Sequence, residues 1–113
     1  MHPPIYLVFT TFPCREDAES LARRLVHERV AACASVMPCG VSYYSWEGEE
    51  RREEEVVMIL KTTGPALSAL QERLVELHPY ECPEFAAVLA ENVAARFAHW
   101  VDESVLAPSH PDA

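Results

Sequence analysis

The stretch IYLVFTTF, residues 5–12, is dense in β-branched and aromatic residues and stops at Pro13. That composition, closed by a residue with no amide donor, predicts a strand. Ala18, Leu21, Ala22, Leu25 and Val26 then recur at helical spacing with charge on the other face, which predicts an amphipathic helix. Glu16 and Asp17 stand near its start, where the positive end of a helix dipole favours acids. Residues 31–48, AACASVMPCGVSYYSWEG, read as one long strand broken at Pro38 and Gly40. A bulge or kink is expected there, because proline cannot complete a ladder and glycine marks irregular backbone.

The charged run EGEERREEE, residues 47–55, reads as a polar hairpin tip around Gly48, and EVVMILKTT, residues 55–63, as the next strand. Gly64 and Pro65 open a second helix, with proline in the first turn where its missing N–H is harmless. Leu67, Leu70, Leu74 and Leu77 form its apolar stripe. The corner LHPYECPE, residues 77–84, carries two prolines. The residue before a proline is pushed out of the helical region, so the helix should end near Leu77, with His78 and Cys82 extended. A strand over residues 84–91 follows, and then a helix with Val93, Phe97, Trp100, Val101 and Val105 on one side. The segment APSHPDA, residues 107–113, reads as a frayed tail.

The order is βαββαβ plus a terminal helix. This is the α+β, ferredoxin-like split βαβ arrangement, with an antiparallel four-stranded sheet and two helices on one face. The chain reads as a single domain over residues 1–113, its core spanning about residues 5–106. IYLVF, VVMIL and FAAVL are apolar at successive positions, whereas a sheet with one wet face should alternate. Two helices cover one face only. The other face, and the long strand ending in YYSW, therefore point to an obligate oligomer. Tyr44 and Trp46 share a face of that strand, opposite Tyr43, and are expected to be interface anchors.

Charge narrows the function classes. Nine Lys and Arg against 18 Asp and Glu leave a net charge of −9, which repels phosphate backbones and argues against nucleic-acid binding. No apolar run reaches membrane-spanning length, and the apolar start lacks the basic flank of a signal peptide, so a cytoplasmic protein is expected. Cys14, Cys33, Cys39 and Cys82 are scattered without a C-x-x-C pair, as reduced thiols would be. Cys33 is expected in the core, and Cys14 as an indifferent helix cap. No Ser-His-Asp logic or glycine-rich phosphate loop is present, so an enzyme is not expected.

The corner holds the candidate chemistry. Imidazole and thiolate suit copper and zinc, so His78 and Cys82 are candidate ligands of a divalent metal, completed by a neighbouring subunit. The bland alternative has His78 bonded to the helix end and Cys82 packed as a small hydrophobe. Lys61 leaves an apolar strand face, where it could meet an anion, pair with Glu84 or snorkel to solvent.

Four stretches in order, ERVAACASV (residues 28–36), SYYSWEG (42–48), LKTT (60–63) and LHPYECPE (77–84), resemble the CutA family, the divalent-cation tolerance proteins. The resemblance spans about residues 5–105. It implies a ferredoxin-like homotrimer built around long hairpins, and a link to copper and other divalent metals. Its metal ligands lie at the end of the first strand and at a histidine before a Pro-Tyr pair. Here these positions are Thr10, where some relatives have cysteine, and His78; Leu77 stands where some have a second histidine. The trimer also resembles the PII signalling proteins. This implies an alternative, an anionic small molecule bound in intersubunit clefts by Lys61, Glu84 and Tyr80. A third reading is a trimeric scaffold for another protein.

Overall fold

The computed structural model describes residues 1–106, so the tail read at residues 107–113 lies outside the described residues. The elements run β1 (Ile5–Phe12), α1 (Arg15–His27), β2 (Cys33–Trp46), β3 (Glu49–Thr63), α2 (Gly64–Leu77), β4 (Ala86–Leu89) and α3 (Ala95–Ser104). The four strands form one antiparallel sheet in the order β2-β3-β1-β4. This is the ferredoxin-like arrangement that the sequence predicts.

Alternation decides what each strand buries. Val8, Thr10 and Phe12 of β1 and Val56, Met58 and Leu60 of β3 are buried and face Leu21 and Leu25 of α1 and Leu70 and Leu74 of α2. Burying a leucine of this kind contributes roughly 1.5–3 kcal/mol. Leu7, Phe9, Val57 and Ile59 point the other way and remain half-buried; they are the second apolar face that the unbroken hydrophobic runs imply. A smaller cluster of Ile5, Ala32, Ala66, Ala98, Val101 and Val105 docks α3. Between the helices, Arg73 clamps both carboxylate oxygens of Glu28, at 2.8 and 2.7 Å. That bond and the one from Arg24 hold the Glu28 carboxyl down at about 2, against desolvation.

Local rules fix the joints. The Thr63 hydroxyl accepts from the Ala66 amide at 3.4 Å and caps α2, with Pro65 in the first turn. The helix ends at Leu77, and His78 is extended (φ −71°, ψ 141°), as its place before Pro79 requires. Cys14 precedes α1 without a capping side-chain bond. The expected bulge lies between Met37 and Gly40 of β2, which pair with Val57 and Glu55. Three steps on β2 thus oppose two on β3, and Cys39 takes a positive φ of 69°.

Several expectations need correction. The hairpin turns at Gly48 as expected, but the tip is shorter than the charged run: β3 starts at Glu49 and pairs residue by residue with β2 as far as Trp46. Only Glu47 and Gly48 turn, both at positive φ (51° and 79°), as a two-residue hairpin demands. Strand β4 is shorter than expected, four residues, all exposed. Phe97 and Trp100 are 42% and 46% exposed, because α3 turns Ala98 and Val101 inward instead. Val26 is exposed, and Cys33 is only half-buried on the uncovered face.

Candidate functional site

The bulge and the double-proline corner build one cleft between them. After the bulge, Glu55, Glu53 and Arg51 share a face of β3 with their β2 partners Gly40, Ser42 and Tyr44. Gly40 is required there, since a Cβ would stand 2.7 Å from the Glu55 carbonyl oxygen. From the other side the corner brings Tyr80, Glu81, Cys82 and Glu84 up to the hairpin. The cavity they enclose is about 550 Å3, with Tyr44 and Trp46 in its wall. Five carboxylates (Glu53, Glu54, Glu55, Glu81, Glu84) line it against one guanidinium, Arg51.

His78 pins the corner. Its ring is buried and stacks on Phe12, centroids 4.4 Å apart and planes 20° off parallel. Nε2 donates to the Thr11 carbonyl at 2.8 Å, with Thr10 Oγ1 3.3 Å away, and Nδ1 accepts from the Tyr80 amide at 3.1 Å. A carbonyl only accepts and an amide N–H only donates, so this is the neutral Nε2–H tautomer. Burial lowers its pKa below the usual histidine value, against the Thr11 bond and the charges of Asp17 and Glu55. Tyr80 extends the chain of contacts, its hydroxyl donating to Glu55 Oε2 at 2.5 Å. Burial, and then that bond, push the phenol well above its ordinary pKa.

A metal at His78 would need a ring lone pair, and the one lone pair is taken by Tyr80. Cys82 is exposed and free on the cleft. Among the described residues no three of His, Cys, Asp and Glu converge as ligands, where a complete site needs about four. The residues of a single protomer therefore do not fit a metal centre by themselves.

The residues read for an anion are split apart. Tyr80 and Glu84 line the cleft, whereas Lys61 lies six residues along β3 from Glu55, about 20 Å at the usual strand rise. Lys61 Nζ donates to Ser35 Oγ at 2.6 Å, beside Cys33 Sγ at 3.8 Å. The negative wall would repel an anion. Sequence reasoning missed Glu55, which it assigned to a solvated tip. The signal was its position two residues before Val57, on the same strand face.

Fold and cleft define a ferredoxin-like α+β protein with an acidic, aromatic-walled cleft beside a long hairpin. The chain belongs to the CutA1 divalent ion tolerance protein family, whose pattern residues 6–104 match. The divalent-cation tolerance protein CutA of Thermus thermophilus is 37% identical over 98 residues, covering 87% of this chain and 95% of the relative. That of Thermotoga maritima is 38% identical, covering 88% and 98%. The CutA1 crystal structure from Oryza sativa superposes with a TM-score of 0.90 at 30% identity, covering 93% of this chain and 96% of that one. A solved relative from Archaeoglobus fulgidus, 30% identical with a TM-score of 0.86 and covering 90% and 99%, is named a periplasmic divalent cation tolerance protein CutA.

Proposed function

We propose that the protein serves divalent-cation tolerance as a non-catalytic, cytoplasmic homotrimer that takes up a divalent metal, copper or zinc, at the cleft. The observation that carries the metal reading is a free thiol, Cys82, on an acid-lined cavity. Thiolate is a soft ligand and carboxylates attract any cation, so the pair favours copper or zinc over a bare anion. The ligand set is completed across the trimer, and His78 joins it only by giving up its bond from the Tyr80 amide. Self-association is supported by the half-covered apolar sheet face of Leu7, Phe9, Val57 and Ile59. The relative named periplasmic makes cell fractionation the check on location.

Calorimetric titration of the reduced protein with Cu(II) and Zn(II) tests the reading, alongside light scattering for subunit number. A definite stoichiometry per trimer, lost in Cys82→Ala and weakened in His78→Ala, is expected. Equal titration of wild type and both variants would sink the metal reading, and a monomer in light scattering would sink the trimer.

A further inference from the structure

Glu55 is 9% exposed, yet no Lys, Arg or His among the described residues pairs with it. Its one side-chain hydrogen bond among those residues is from Tyr80 to Oε2; Oε1 accepts none and remains open to solvent, since no enclosed side-chain oxygen there lacks a partner. A carboxylate buried this far normally has a cationic partner. The cleft that Glu55 faces is walled by Tyr44, Trp46 and Tyr80, and carries Glu53 and Glu84 as further acids. Within one protomer no three metal ligands converge among the described residues, so a metal there draws on a neighbouring subunit. An ammonium group asks for less: one carboxylate and an aromatic face, whose quadrupole attracts a cation. Trp46 and Tyr44 supply the faces. The cavity, about 550 Å3, is in the range of small-molecule sites.

We propose that the cleft binds a linear organic polyamine, one ammonium on Glu55 among the aromatic side chains and a second toward Glu53 or Glu84. The site shares the acidic cleft of the metal reading but is told apart from it by its ligands, for it uses neither Cys82 nor His78.

The test is calorimetric titration of the full chain with spermidine at physiological salt, with magnesium chloride at equal charge as the comparator. Saturable binding of one spermidine per chain is expected, with magnesium failing to displace it. Glu55→Gln, which keeps the shape and the Tyr80 contact, should weaken binding at least about tenfold, as loss of a buried charge partner does. Trp46→Leu should weaken it several-fold, and it carries the test should Glu55→Gln fold poorly. Absence of saturable binding, displacement by magnesium in proportion to charge, or equal affinity in both folded variants would each overturn the proposal. Copper and zinc titrations of the same wild-type protein are read separately, so loss of one reading leaves the other standing.

Discussion

Strand β3 passes through two environments. From Val56 to Thr63 it is the centre of the protein, with β1 on one side and β2 on the other, and every second residue is sealed under the helices. From Glu49 to Glu54 the same strand is exposed, pairs with β2 alone, and presents charge. Glu55 is the border residue, buried but acidic. The inner half owes its stability to apolar contacts within the chain. The outer half has backbone pairing and little else, so its side chains are free to serve a neighbouring subunit or a ligand.

Truncations sharpen that contrast first. Leu60→Ala, at a fully buried position, should cost about 2–5 kcal/mol, read as a fall in the denaturation midpoint. Tyr43→Ala, on β2 opposite Arg52 of the outer half and 76% exposed, should change the midpoint by less than about 0.5 kcal/mol. Equal costs would break the comparison.

At the border, Gly40→Ala drives a methyl group against the Glu55 carbonyl. An overpacking loss of about 1–3 kcal/mol is expected, with Glu55 displaced and spermidine binding reduced in the same preparation. A variant with wild-type melting and binding would show that the bulge yields freely.

The corner should add an effect that depends on pH. His78 holds a folded pKa below its usual 6.5, so both folded and unfolded chains are neutral there at high pH. As pH falls through 6.5, the unfolded chain takes up a proton that the folded chain refuses. The contribution is therefore full above that pH and declines toward the lower folded value. His78→Gln should cost about 1–3 kcal/mol at neutral pH and flatten that part of the stability profile. An unchanged slope in the variant would assign the pH dependence to other groups.

The inner half was the more legible in sequence. Ile5–Phe12 carries its strand signal in composition, and α2 is bracketed by Pro65 and Pro79, so these bounds follow from backbone sterics alone. The outer half resisted because Glu, four of its six residues, is depleted in strands; residues 49–54 are extended only because residues 41–46 supply the ladder. Phe97 and Trp100 misled for a related reason. Helical spacing places them beside Val101, but packing space selects Ala98. The cleft needed Glu55 and Tyr80 to meet across 25 residues, and local pattern does not report such a distance. His78 was visible as a residue with a role, but which atoms its nitrogens would bond was not.

Arg29 holds a different kind of consequence. It sits at φ 62° just after α1 and donates to the carbonyls of Ser104 and Glu103 at 3.1 and 2.9 Å, while its own carbonyl accepts from the Leu106 amide. The partners are separated by 75 residues of chain. At a synthesis rate of about 5–20 residues per second, Arg29 leaves the peptidyl-transferase centre roughly 4–15 seconds before Ser104 is made. During translation its guanidinium waits with water for partners, and the latch on α3 is among the last contacts the nascent chain can close.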